Sequence, residues 1–486
     1  MLKHRILIVV IGTMLLYACK HEAGEVAPAG ATYGNYPAAI GKIMESKCAV
    51  QGCHNAASYT GAGGLLLDSW EHMFDGSNNG AVVIAYSPIF SSLLYFINTN
   101  EDSGLVAEPR MPVNGEALSA EEYKTIKDWI AAGAPDAKGN IPFADNPDTR
   151  QKIYAIQQDC DVLTVIDAEK KVVMRYVPMG RLASQESMSD LQISPDGNYL
   201  YVSYWFSNFL QKVDTRTDKV VAETDLGDVF WGALYLSDDG SRLVVSNDDA
   251  GTLSVIDAGT MQMVKTYKFD MERPRNIVAS SNFETLYATS RTGNVVYKIA
   301  NDSLHKISID GKAVTTEITA NTPNPWDLVM APDFSKYFIA CSQTNDVRVV
   351  STTNDEVLKV IPVGATPQQM AMSDSKPYLF VTCLNDPASG AKSKGSVYAI
   401  NYETLEIVKR IEAGFYEPYG VSVDDKTGSV YVISKNLTSD GPAPHHGSPC
   451  DGRNGFYQVI DLNTLNPVSN KRHEILTNPT ATQIRF

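Results

Sequence analysis

The stretch "SKCAVQGCHNAAS" (residues 46–58) sets two thiols, Cys48 and Cys53, beside an imidazole, His54, with four residues between the cysteines. Residues of these types at this range suit two chemistries. In an oxidising compartment the thiols pair as a disulfide and His54 is left at the surface. Alternatively, two thiols add across the two vinyl groups of a haem, and the histidine after the second thiol reaches the iron; C-x-x-C-H is the usual signature of that attachment. The loop here is two residues longer than the signature. Because the porphyrin fixes the separation of its vinyl groups, the longer loop must bulge, and Gly52 has the backbone freedom to let it. From these residues alone both chemistries stay open.

The elements that must position them divide the chain. Lys3, His4 and Arg5 precede a short apolar run that ends at "LYAC". This reads as a lipoprotein signal peptide over residues 1–18, with Cys19 as the lipid-attachment residue of the mature chain. Lys20 rather than an acidic residue follows Cys19, which by resemblance to the lipoprotein sorting rule implies the outer membrane of a bacterial cell envelope. Residues 19–35, rich in Ala, Gly and Glu, suit a flexible tether. Residues 36–138 read as a small, mostly helical unit that closes with "LSAEEYKTIKDWIAAGAPD". There Ser119 and Glu122 make a capping box, Tyr123, Ile126, Trp129 and Ile130 recur at helical spacing, and Gly133 and Pro135 stop the helix.

After a linker over residues 139–151 the grammar changes to short alternating strands, and one pattern recurs. Its first strands are "DLQISP", "GALYLS", "RNIVAS", "WDLVMAP", "QQMAMS", "YGVSVD" and the C-terminal "ATQIRF". Seven first strands imply seven blades of a β-propeller over residues 152–486. "KIYAIQ" (152–157) is a second strand with no first strand before it, and "ATQIRF" is a first strand with nothing after it, so pairing the two would close the ring and remove its free edges.

Loops from fourth to first strands gather Met188, Trp231, Arg273, Arg275, Trp326, Gln368, Tyr416 and Tyr419 on one face, as a binding funnel or as a plug that stitches the blades. Two long insertions, 383–396 and 434–455, should rise beside them. The second carries His445, His446, Cys450 and Arg453; two adjacent histidines without a carboxylate cluster do not make a closed metal site, and they read as solvated. Cys160 can pair with Cys450, or Cys341 with Cys383. The loop pair is preferred, because strand ends in adjacent blades stand far apart for a bridge.

Several motifs in one order resemble known families. Residues 36–136, through "AAIGKIMESKC", "GCH", "GGLLLDSWEHMF" and "RMP" followed by the closing helix, resemble the monohaem cytochrome c domain of planctomycete-type cytochromes and other bacterial lipoproteins. The resemblance implies a covalent haem c on Cys48 and Cys53, with His54 and Met111 as axial ligands of its iron. Such a six-coordinate site shuttles single electrons. His72 and Met73 are other candidates for the distal position, and Trp70, Tyr95, Phe96 and Trp129 are candidate pocket walls. The "VID" and "PDGNYLYV" strings of the second half resemble the YVTN family of β-propellers, which speaks for fold and says little of function.

The expectation is therefore a mainly β protein, a seven-bladed β-propeller preceded by a small α-helical cytochrome c-like domain. It is an electron carrier rather than a catalyst, tethered to the membrane by its lipid and docking a redox partner protein. The alternatives are a periplasmic oxidoreductase with its substrate on the propeller face, and a cell-surface binding protein without haem. A net charge of −15 lacks the basic footprint of a nucleic-acid binder. No Ser/His/Asp or paired-carboxylate spacing points to a hydrolase.

Overall fold

Six-residue runs rich in β-branched and aromatic residues, punctuated by turns such as Asp196-Gly197 and Asp239-Gly240, make strands too short to bury themselves except as part of a larger stack. In the computed structural model, which describes residues 33–181, 185–387 and 393–485, they form seven four-stranded antiparallel sheets. The signal peptide, Cys19 and most of the tether lie outside the described residues. Every expected first strand is present: Met188–Ile193, Trp231–Leu236, Pro274–Ala279, Pro325–Met330, Pro367–Met372, Pro418–Asp424 and Pro479–Arg485. The protein is a seven-bladed β-propeller.

Burial peaks in the middle of each blade, and innermost strands such as Met188–Ile193 are half-buried. Second and third strands such as Lys152–Gln157 and Val162–Asp167 are buried along their whole length. The outermost Gln262–Lys268 and Lys219–Asp225 are mostly exposed. These outer edges carry lysines that reach the next blade, as Lys359 reaches Glu406 at 2.9 Å and Lys409 reaches Asn466 at 2.7 Å. Charge on an outer edge discourages pairing with other chains.

The ring closes as its two ends require. Pro479–Arg485 pairs antiparallel with Lys152–Gln157, placing Lys152 opposite Arg485 and Tyr154 opposite Gln483. Arg485, 2% exposed, donates to the carbonyls of Pro147 and Asp148 at 2.7 Å each, so the last strand also grips the linker. Beside it, Lys152 and Tyr154 share the buried Asp218 at 2.9 and 2.6 Å. Burial lowers the Lys152 ammonium to about 8 even against the pull of Asp218.

The N-terminal unit is less helical than expected. Its helices are α1 (Ala38–Ile43), α2 (Trp70–Met73), α3 (Ser92–Ile97) and α4 (Ala120–Ala131), joined by long loops. Glycine- and proline-rich spans such as "GAGG", "DGSNNG" and "EPRMPVNG" break the helical pattern between them. The capping box on α4 is present in both directions, with Ile126 and Ile130 fully buried and Trp129 nearly so. They pack on Tyr36, Ile40, Ile43 and Met44 of the α1 region. Among the described residues no helix is long and apolar enough to cross a membrane.

This unit leans on the rim of the propeller. Ile84 joins the apolar cluster of Tyr431, Tyr457 and Ile475, Phe90 lies 5.0 Å from the Tyr176 ring, and Glu474 N donates to Asn79 O at 2.8 Å. Asp75 pairs with Lys170 across the same seam.

Candidate functional site

Helix α1 continues into a single π-helical turn, Met44–Cys48, that delivers Cys48 to the edge of the core. Ala49 N donates back to Met44 O at 2.7 Å, Cys53 N to Val50 O at 3.1 Å, and His54 N to Cys48 O at 3.2 Å. The four intervening residues thus fold into a compact loop. Gly52, at φ 84°, takes the left-handed conformation that the longer loop requires. Asn55 and Ser58 side chains fasten the loop by donating to Val50 O and Cys53 O, both at 2.7 Å. Cys48 and Cys53 are not joined to each other. Burial pushes the Cys48 thiol up to about 12, and its neighbour Cys53 adds to the shift.

His54 is oriented by its own backbone neighbourhood. Its Nδ1 lies 3.0 Å from Leu65 O, which only accepts, so Nδ1 carries the hydrogen and Nε2 is left with a free lone pair. A metal-ligating histidine is held in this way by a carbonyl behind it. Burial lowers the imidazole below its ordinary range and favours the neutral, donor-competent form. Met111 is fixed from another direction: its N–H donates to Phe96 O at 2.7 Å, and its side chain packs on Tyr95, Phe96 and Ala107.

Cys48, Cys53, His54 and Met111 line one cavity of about 380 Å³, a volume in the range of cofactor pockets. Leu65, Leu67, Val82 and Leu118 make most of its wall apolar. Two thiols suit the two vinyl groups of a porphyrin, and one imidazole with a free Nε2 and one thioether suit the two positions its iron leaves open, in a largely apolar setting.

Of the other residues singled out from sequence, Tyr95 and Phe96 wall this cavity, whereas Trp70 and Trp129 do not. Both indoles turn to the far side of the core and donate to Ala134 O and Pro135 O at 2.8 and 2.9 Å. His72 is occupied by Asp68 at 2.6 Å, and Met73 is 1% exposed in the apolar core; neither borders the cavity.

The expectation of solvated histidines holds for His445, which is exposed, and is overturned for His446, whose side chain is 15% exposed. The propeller closes one side of the same cavity with Val173, Tyr176, His445, His446, Glu474 and Ile475. The His446 ring lies 5.3 Å from Tyr95 and the His445 ring 4.8 Å from Phe96. Their loop is pinned by the Cys160–Cys450 disulfide, while Cys341 and Cys383 remain separate buried thiols. Arg453 ties the loop further, donating to Asn436 O at 3.2 Å and Pro442 O at 2.8 Å.

At one end of the propeller axis, Arg275 lies 4.1 Å over Trp326 and 5.6 Å from Trp205, with Tyr419 beside it, around a space of about 40 Å³, while the channel between the innermost strands holds about 490 Å³. Met188, Trp231, Gln368 and Tyr416 are buried within the blades, and Arg273 turns to Asp248 at 3.6 Å. These residues act mainly as plug and stitching. The stitching is completed by two carboxylates that sequence reasoning missed. Asp190 accepts Leu234 N at 2.8 Å, and Asp327 accepts Met370 N at 2.6 Å, each from the following blade. Burial raises them to about 6 and about 7. The signal was a polar residue at one repeated place in the innermost strands, Asp190, Asn276, Asp327 and Gln369.

No family model matches the chain. Antigen Lp49 of Leptospira interrogans serogroup Icterohaemorrhagiae serovar copenhageni is 26% identical over 292 residues, 58% of this chain and 62% of that protein. The match thus spans less than two thirds of that relative. A functionally unknown protein from Desulfotomaculum acetoxidans DSM 771 superposes with a TM-score of 0.52 at 14% identity, covering 68% of this chain and 98% of that one. That likeness concerns fold alone. Dihydro-heme d1 dehydrogenase NirN in complex with DHE gives a TM-score of 0.46 at 13% identity over 84% of this chain and 94% of that one, too low to carry an argument.

Proposed function

We propose that this protein is a c-type cytochrome that transfers single electrons, with haem bonded through Cys48 and Cys53 and its iron held by His54 and Met111. The observation that carries the reading is that these four side chains, 63 positions apart at the extremes, face one largely apolar cavity, with His54 Nε2 left free by the Leu65 carbonyl. A haem in this cavity supplies reversible one-electron iron chemistry, at a potential raised by a thioether opposite an imidazole. The chain's own part is to hold and shield. Leu65 O sets the His54 tautomer, the Phe96 carbonyl positions Met111, and the apolar wall keeps water from the site.

In this reading the propeller is a docking scaffold for a redox partner protein, and lipid on Cys19 anchors the molecule to the outer membrane of a bacterial envelope. The test is expression of the full chain with a cytochrome-maturation system, followed by a pyridine haemochrome spectrum of denatured protein and an intact mass. Haem that survives denaturation supports the reading. A mass equal to polypeptide plus lipid, with no haemochrome bands, overturns it.

A further inference from the structure

The propeller wall of the cavity contains a histidine–carboxylate contact suited to sharing a proton. His446 Nδ1 lies 2.8 Å from Gly447 O, an acceptor only, and 3.4 Å from the Asn454 amide nitrogen, which also reaches Glu474 Oε2 at 3.5 Å; the shorter contact favours a hydrogen on Nδ1. On the other side of the ring, Nε2 lies 3.4 Å from Oε2 of Glu474. A neutral imidazole of that tautomer and an ionised carboxylate would present lone pair to lone pair. One additional proton, on Nε2 or on Oε2, makes the contact favourable. The second carboxylate oxygen is already used, because Oε1 accepts the backbone N–H of His445. The two side chains are 15% and 10% exposed.

The surroundings narrow the exchangeable groups on this wall to the pair and the exposed His445 beside it. On the same loop, the His445 ring packs at a tilt on Phe96 and stays exposed, within the field of Glu474, and the Arg453 guanidinium is spent on backbone carbonyls. Next to Glu474, His473 stacks 4.8 Å from Tyr457, and burial lowers it to about 4. From α3, Tyr95 donates its hydroxyl to Ile89 O; from the strand Val172–Pro178, the Tyr176 phenol is raised out of reach by burial. Lys47, on the opposite wall, is paired with Glu122 at 3.1 Å. Burial moves the Glu474 carboxyl up from its ordinary range, towards neutrality, and the His446 imidazole down from its own, so the proton the two share is drawn towards the carboxylate side of the contact.

We propose that His446 and Glu474 are a proton-exchanging pair that the propeller builds into the wall of the redox cavity. The pair binds one proton from solvent when the site accepts an electron from its one-electron donor, and releases it when the electron leaves. This rests on the reading that the cavity holds haem. An added electron removes one positive charge from a water-poor cavity, which favours a proton nearby. The pair's proton affinity is therefore higher in the reduced protein. Between its oxidised and reduced pKa values the potential falls as pH rises, and outside that window it is flat.

The experiment is a spectroelectrochemical titration of the matured full-length protein between about pH 5 and pH 9, the span in which a histidine titrates. The expected wild-type slope approaches about 59 mV per pH unit within the window, the one-electron equivalent of a tenfold change in proton activity. Glu474→Gln and His446→Asn should each flatten the slope while the haemochrome spectrum and the methionine–iron charge-transfer band persist. In parallel, NMR titration of the His446 imidazole should show a midpoint that moves on Glu474→Gln, a readout of the pair that needs no electron transfer. A haem-loaded wild type with a pH-independent potential, or variants that keep the slope, overturns the proposal. Absence of covalent haem overturns the reading beneath it instead.

Discussion

At the scale of residues, His54 and Met111 illustrate different routes to one cavity. His54 is adjacent in sequence to Cys53, and its ring is oriented by a carbonyl only eleven residues on. Met111 reaches the same space from a loop whose position depends on α3, through the Phe96 carbonyl. The local cysteine–histidine spacing was therefore legible from the chain, whereas Met111 entered only through a resemblance. Replacing Met111 with Ala should abolish the methionine–iron charge-transfer band and lower the reduction potential, since the thioether is what raises it, while covalent haem is retained. A charge-transfer band that persists unchanged would reject Met111. The role of Glu474 was not legible, because nothing in "KRHEILT" distinguishes a buried acid at a strand end from a solvated one.

At the scale of elements, the capped helix and the repeated strands were legible because their signals are local. A capping box needs Ser119 and Glu122 three positions apart, and a propeller strand needs a run of about six residues rich in β-branched and aromatic types between turn signals. The loop between Ser429–Ser434 and Asn454–Asp461 has no such period. Its path is decided by the disulfide to Cys160, 290 positions earlier, and by Arg453. That is why His445 and His446 read as solvated from sequence and yet face the helical unit. Removing the bridge with the double replacement of Cys160 and Cys450 by Ser should cost about 2–4 kcal/mol of stability, chiefly by freeing the unfolded chain. Urea unfolding followed by intrinsic fluorescence would measure it. A midpoint that matches the wild type would show that strand pairing alone holds the loop's base.

At the scale of the whole molecule, ring closure joins the last strand to the first, so an unpaired end anywhere would expose backbone on both sides of the gap. Truncation after Asn478 removes the partner of Lys152–Gln157 together with Arg485, which holds the linker. The truncated chain should express as aggregate or as a species with sharply increased hydrogen exchange at residues 152–157. A monomer with wild-type exchange there would mean that the closing strand is dispensable. The same closure sets the seam on which the helical unit rests, because the strands of the closing blade and the blade before it supply Val173, Tyr176 and Glu474.

Hydrophobic period, turn chemistry and the seven recurring first strands determined the propeller and its mode of closure, since each is a property of a short window of chain. Thiols, imidazole and loop length likewise marked residues 48–54 as a place for chemistry. Tertiary structure alone decided that the thioether of Met111 shares that place, and that a loop some 390 residues further on completes its wall. Contacts between distant segments depend on how two folded bodies fit at a rim, and side-chain types along the chain carry no record of that fit.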